Sequence, residues 1–132
     1  MGSTRILLAD DNPELRERVA QLLRYHFNIV GSVGDGQQAL ESALTLNPDI
    51  LLLDISMPIL DGIEVASRLR DSGCEAKVIF LTVHRGSEWV EAGFSVGAFG
   101  YVLKGRIRSD LIPAIEAALQ GRRFASPGAR QI

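Results

Sequence analysis

Residues 48–58 read Pro-Asp-Ile-Leu-Leu-Leu-Asp-Ile-Ser-Met-Pro, an apolar run opened by a proline and broken by a carboxylate. Four consecutive apolar residues, Ile50 to Leu53, cannot form the one-sided face of a surface strand, because successive side chains point to opposite faces. A run of this kind bounded by turn chemistry reads as a strand buried on both faces, which belongs to a parallel sheet covered by helices. Asp54 then stands where a central strand stops and the chain turns outward. In open α/β sheets the carboxyl ends of the strands form the crevice where ligands bind.

The rest of the chain alternates in the same manner. Thr4 to Ala9 predicts a first strand that ends at Asp10-Asp11, and Asn12-Pro13 opens a helix with Leu15, Val19, Leu22 and Leu23 on one face, through about His26. Ile29 to Val33 predicts a second strand. Asp35 and Gln38 have capping-box spacing for a helix with Leu40, Ala43 and Leu44 as its stripe, stopped by Asn47-Pro48. After Asp54, Asp61 and Glu64 repeat that spacing for a helix from about Gly62 to Asp71 that buries Val65, Ala66 and Leu69. Lys77 to Leu81 predicts a fourth strand ending at Thr82. Ser87 then caps a helix weakened by Gly93 and Gly97, with Trp89, Val90, Gly93 and Phe94 inward. Phe99 to Leu103 predicts a fifth strand ending at Lys104. Ser109 caps the last helix, with Pro113 in its first turn and Leu111, Ile112, Ile115 and Leu119 as its stripe. Residues 1–121 form one domain, and 122–132, with Arg122, Arg123, Ser126, Pro127 and Gly128, read as a tail or the start of a linker. Five strand–helix units joined by right-handed crossovers give a three-layer α/β sandwich around a five-stranded parallel sheet.

Composition excludes several function classes. A chain of 132 residues with a formal net charge of −2 fits one ordinary domain and offers no electrostatic footprint for nucleic acid or a membrane surface. It has no membrane-length apolar run and no signal-peptide pattern, and Met1-Gly2-Ser3 carries no weight. Cys74 is the single cysteine, so neither an internal disulfide nor a thiolate metal cluster is available, and a reduced cytoplasmic setting is expected.

In a parallel sheet the strand ends share one edge. They deliver Asp10 and Asp11 from the first strand, Asp54 from the third, Thr82 from the fourth and Lys104 from the fifth. Two carboxylates about 4 Å apart at a protein surface repel by about 4 kcal/mol, which raises a pKa or calls for a cation. An all-oxygen donor set without Cys or paired His points to Mg²⁺ rather than Zn²⁺. A carboxylate nucleophile, a divalent ion, an ammonium and a hydroxyl together form a set able to accept a phosphoryl group.

These residues resemble the receiver domain of bacterial two-component response regulators over about residues 4–120. The matching motifs are Leu-Ala-Asp10-Asp11-Asn-Pro, Leu-Leu-Leu-Asp54-Ile-Ser-Met-Pro58-Ile-Leu-Asp-Gly62, Leu-Thr82 and Gly-Ala-Phe-Gly-Tyr101-Val-Leu-Lys104. The resemblance implies a flavodoxin-like strand order, 2-1-3-4-5. It also implies that Asp54 takes its phosphoryl group from a phosphohistidine on a sensor histidine kinase. Asp11, Asp54 and the Ser56 carbonyl would hold Mg²⁺ directly and Asp10 through water, while Lys104 pairs with the phosphoryl oxygens. Thr82 and Tyr101 would act as the switch that reshapes the face made by the fourth helix, fifth strand and fifth helix. Such a domain is a phosphoacceptor, not an enzyme with an external substrate.

Two local features qualify the pattern. Gly105 follows Lys104 where many receivers carry proline, which leaves the usual cis peptide there open. His84, two residues after Thr82, and Ser56, two after Asp54, are placed to tune how long a phosphoryl group survives. The run Gly-Ala-Phe-Gly-Tyr-Val-Leu-Lys and the Gly121-Arg-Arg-Phe-Ala-Ser-Pro segment are similar to the NarL/FixJ subfamily, whose members continue into a helix-turn-helix domain. DNA contact is therefore expected only through a domain outside these residues, and a homodimer is possible. The alternatives are a stand-alone receiver acting by protein contact and a Mg²⁺-dependent aspartyl-phosphate phosphatase. The phosphatase would need a second acid at the position of Ser56. A flavodoxin-like cofactor binder is a weak third, because no phosphate-binding loop follows the first strand.

Overall fold

The computed structural model describes residues 3–132, and Met1 and Gly2 lie outside the described residues. Its strands are β1 (Arg5–Ala9), β2 (Asn28–Val33), β3 (Ile50–Leu53), β4 (Lys77–Thr82), β5 (Gly100–Leu103) and β6 (Phe124–Ala125). Its helices are α1 (Pro13–Leu23), α2 (Gly36–Leu46), α3 (Gly62–Asp71), α4 (Ser87–Ser95) and α5 (Ile107–Leu119), with a single 3-10 turn at Lys104–Arg106. All strand pairs are parallel, in the order β2-β1-β3-β4-β5-β6. The expected flavodoxin-like order 2-1-3-4-5 is present, extended by a short sixth strand.

The period-2 geometry of the central strands divides the core in two. Leu7, Ala9, Leu51, Leu53, Phe80 and Tyr101 point to the side covered by α2, α3 and α4. Ile6, Leu8, Ile50, Leu52, Ile79, Leu81 and Val102 point to the side covered by α1 and α5. Every residue of β3 is buried, as its unbroken apolar sequence requires. Burial of each Leu or Ile stabilises the fold by about 1.5–3 kcal/mol, so this strand anchors Asp54 firmly.

Three of the helix starts follow their capping residues. Asn12 Oδ1 accepts from the amides of Glu14 and Leu15 at 3.0 and 3.2 Å, with Pro13 opening the helix. Asp35 and Asp61 accept from the amides of Gln38 (2.8 Å) and Glu64 (2.9 Å). Neither box closes reciprocally on its cap: Gln38 Oε1 takes the Gly34 amide at 3.2 Å, and Glu64 pairs with Arg68 at 3.0 Å. Asn47 ends α2 in the left-handed region at φ 48°, ahead of Pro48.

Several local expectations are corrected. Helix α1 stops at Leu23, short of His26. The buried residues of α2 are Gly36, Ala39 and Ala43, whereas Leu44 is largely exposed. Gly86, at φ 114°, occupies the cap position of α4; the Ser87 hydroxyl instead reaches the Arg130 carbonyl at 3.4 Å. Trp89 faces outward at 39% exposure and stacks on His84. Helix α5 grows directly from the 3-10 turn, so Ser109 lies inside it and Pro113 falls past its first turn. That proline removes an internal hydrogen bond, and burial of Leu111, Ala114, Ile115 and Ala118 offsets the loss. Leu119 is exposed, outside that stripe. All peptide bonds between the described residues are trans, the one after Lys104 included.

Residues 122–132, expected as a tail or linker, pack on the domain. Phe124 and Ala125 pair with Gly100 and Tyr101, and Ser126 and Ala129 are buried.

The start of α3 is clamped to the end of β3. The Gly62 amide donates to the Ile55 carbonyl at 2.8 Å, and a Cβ on Gly62 would collide with the backbone oxygen of Asp54. Gly62→Ala is therefore expected to lower stability by about 3 kcal/mol. A fall in the urea midpoint at unchanged slope measures it.

Candidate functional site

The carboxyl ends of β1, β3 and β5 meet, and the acidic residues there are brought together. Asp10, Asp11 and Asp54 each offer a carboxylate oxygen, and these oxygens lie within 4.8 Å of one another. Asp10 and Asp54 are 5% and 4% exposed, whereas Asp11 stands at the surface. Lys104 crosses from the end of β5, with its ammonium 2.8 Å from Asp10 Oδ2 and 3.1 Å from Asp54 Oδ2.

Local contacts fix these groups in place. Asp10 Oδ1 accepts from the Asn12 amide at 2.9 Å, so the residue that caps α1 also orients the first carboxylate. Arg16, one turn into α1, donates to the Asp10 backbone carbonyl and, at 2.9 Å, to Ser32 Oγ on β2. The sequence reading missed Arg16; its only signal was its place on the helix that leaves the acidic pair. The loop after Asp54 carries Ile59 at φ 74°, a left-handed conformation that costs a β-branched residue about 1–2 kcal/mol.

The electrostatics follow from this crowding. Burial, reinforced by the Asp10 charge, raises the Asp54 pKa above its ordinary value, and Lys104 only partly opposes the rise. Burial pulls the Lys104 pKa down, but the carboxylates of Asp10 and Asp54 outweigh it and the net shift is upward. Lys104 is thus held as a cation. Asp10 Oδ2 is buried against the Lys104 ammonium. A buried carboxylate beside two further carboxylates, with no Cys or His in the cluster, fits a hard divalent ion.

The switch candidates are linked through one residue. The Thr82 hydroxyl, at the end of β4, accepts from the His84 amide at 3.2 Å. Tyr101 is fully buried, its hydroxyl donates to the His84 carbonyl at 2.8 Å, and burial pushes its phenol pKa well up. The His84 ring reaches Ser56 Oγ through Nε2 at 2.6 Å, and its other side stacks on Trp89 with ring centroids 4.1 Å apart. Ser56 and His84, named together as tuning candidates, are in direct contact. Trp89 as the support of that ring was not foreseen, because helical spacing placed it in the core. His26 and Cys74 lie outside the cluster.

A carboxyl group whose pKa is raised on folding disfavours the folded state once it ionises. That penalty is absent below the unfolded value of 3.8 and sets in as pH rises through the raised folded value. Asp54→Asn is therefore expected to melt at a higher temperature than the parent at pH 7 without divalent cation, with the gain vanishing toward about pH 3. Millimolar Mg²⁺ is expected to raise the melting temperature of the parent and to leave the variant nearly unmoved. Calorimetry across pH, with and without the ion, measures both effects.

Comparison with known proteins agrees with this geometry. Residues 6–116 match the response regulator receiver domain. The chain is 36% identical over 123 residues to the nitrate/nitrite response regulator protein NarL of Escherichia coli, covering 92% of this chain and 57% of that protein. It is 40% identical over 116 residues to the transcriptional regulatory protein PdtaR of Mycobacterium tuberculosis, covering 87% and 56%. A LuxR-family two-component response regulator from Aurantimonas superposes with a TM-score of 0.91 at 35% identity, covering 98% of this chain and 94% of that one. The chain spans little more than half the length of these two curated relatives. It belongs to the response regulator receiver family, and so to the phosphoacceptor signalling domains rather than the conventional enzymes.

Proposed function

We propose that this chain accepts a phosphoryl group on Asp54 from the phosphohistidine of a sensor histidine kinase in the cytoplasm and passes the change to its α4–β5–α5 face. The observation that carries this reading is the convergence of Asp10, Asp11, Asp54 and Lys104 at one sheet edge. In the transfer, an Asp54 carboxylate oxygen forms a bond to phosphorus, the P–N bond of the donor breaks, and the leaving imidazole nitrogen takes up a proton from solvent. Attack by water on phosphorus later restores the carboxylate and releases inorganic phosphate.

Asp10, Asp11, Asp54 and the Ser56 carbonyl are the groups that would hold Mg²⁺, whose charge would offset that of the carboxylates and the incoming phosphoryl oxygens. Lys104, already between Asp10 and Asp54, is positioned to exchange a carboxylate partner for a phosphoryl oxygen. The Thr82 hydroxyl uses a lone pair on the His84 amide, which leaves its proton available to the new group. The added charge of about −1.5 to −2 would then bias the packing of Thr82 and Tyr101, a local change with a remote readout. The named relatives are regulators, and PdtaR is a transcriptional one. Transcriptional output here would require a DNA-binding domain beyond these residues. No described helix is long and apolar enough to cross a membrane.

Incubation with Mg²⁺ and acetyl phosphate is expected to add one phosphate-sized mass, abolished by Asp54→Asn or by chelation. Full modification of the Asn variant would refute the assignment. The Ser56–His84 bridge limits the approach of water, so His84→Ala is expected to shorten the lifetime of the modified form severalfold. An unchanged decay in a phosphate-release assay would remove His84 from that role.

A further inference from the structure

Lys104 stands on backbone that its own sequence does little to restrain. It opens the 3-10 turn Lys104–Arg106, and neither that turn nor α5 after it carries a side-chain cap. Gly105 is exposed, with nothing within 4 Å of where a Cβ would stand, so neither a side chain of its own nor a close neighbour limits its dihedrals. Yet the Lys104 ammonium is held 2.8 Å from Asp10 Oδ2 and 3.1 Å from Asp54 Oδ2. Contacts from outside the turn must fix the point from which that side chain reaches.

Those contacts meet on Asp110, in the first turn of α5. Asp110 is 4% exposed; its Oδ2 accepts from Arg106 Nε at 2.7 Å and its Oδ1 from the Ser109 hydroxyl at 2.9 Å. Ser126, also buried, accepts the Leu103 amide on its hydroxyl oxygen at 3.1 Å and directs its proton to Asp110. Burial raises the Asp110 pKa, but the bonds from Arg106, Ser126 and Ser109 outweigh it and hold the carboxyl below its ordinary value. One ionised carboxylate thus ties down Leu103, the residue before Lys104, and Arg106, two residues after it. The carboxylates that raise the Lys104 pKa are those of Asp10 and Asp54, so Asp110 acts on Lys104 through the backbone and not through its charge.

We propose that Asp110 is a positioning residue for phosphoryl transfer: bonded to Arg106 and, through Ser126, to Leu103, it sets where the Lys104 ammonium falls. This rests on the phosphoacceptor reading above. The groups that would hold the divalent ion stand at the ends of β1 and β3, whereas Lys104 alone depends on the turn between β5 and α5. Loosening the bracket therefore weakens the grip on the phosphoryl oxygens and leaves the ion's ligands in place. A displacement of about 1 Å at Lys104 is enough to slow the transfer many-fold.

Two measurements on the full chain test this: Mg²⁺ affinity by calorimetric titration, and the rate of the phosphate-sized mass gain from acetyl phosphate at saturating Mg²⁺. Asp110→Asn, which keeps the volume of the side chain and removes its charge, is expected to slow the mass gain about tenfold while Mg²⁺ affinity stays within about twofold of the parent. Arg106→Gln breaks the same ion pair from its half-exposed side, where folding is not at risk, and is expected to slow the gain about threefold at the same unchanged affinity. An unchanged rate in either folded variant overturns the proposal. So does a parallel loss of Mg²⁺ affinity and rate, which would mark general damage to the sheet edge instead of a displaced Lys104. Absence of any mass gain in the parent overturns the phosphoacceptor reading and the positioning role together.

Discussion

Mutual repulsion among Asp10, Asp11 and Asp54 is the constraint to which the domain is fitted. Three oxygens within 4.8 Å of one another cannot all carry charge comfortably at a half-buried edge, and a single ammonium only partly relieves them. The strands that end in these residues compensate: β3 is buried throughout, and the rest of the sheet packs apolar side chains on both faces. Rigidity there keeps the carboxylates from drifting apart. The same repulsion leaves the site an affinity for positive charge that fits a divalent ion beside Lys104.

The contacts of the switch candidates converge on His84. Its amide, its carbonyl, its ring nitrogen and its ring face contact Thr82, Tyr101, Ser56 and Trp89 respectively. A displacement of Thr82 is therefore felt on both sides of the β4–α4 loop. Helix α4, which follows, has nine residues and a glycine cap without a side-chain hydrogen bond. An element so weakly anchored by its own sequence is suited to move when the loop before it moves.

Much of this was legible in the sequence because it depends on short-range rules. Apolar runs ending in Asp54, Thr82 and Lys104 imposed the strands and therefore their common edge, and Asn12, Asp35 and Asp61 announced helix starts through chemistry local to each cap. The misread features depend on tertiary partners. Trp89 is apolar at a core-compatible spacing, yet it turns outward to the His84 ring. Ser87 and Ser109 have capping side chains, but Gly86 and the 3-10 turn determine where those helices begin. Leu44 and Leu119 fit their stripes by periodicity, while smaller alanines fill the space against the sheet. Residues 122–132 have the composition of a linker, but parallel pairing uses backbone groups that any sequence supplies, and one small side chain at Ala129 completes the fit.

The sixth strand also changes what the border of the sheet looks like. A parallel sheet that stopped at β5 would show a row of unpaired amides and carbonyls beside a buried tyrosine, an invitation to self-association. Phe124 and Ala125 cover that row with only two paired residues, and the chain then veers off toward α4. A shortened version trimmed at residue 121, where the last helix has ended, would bare that border and could oligomerise through a contact the longer chain conceals. Self-association measured on such a fragment would then reflect where it was cut.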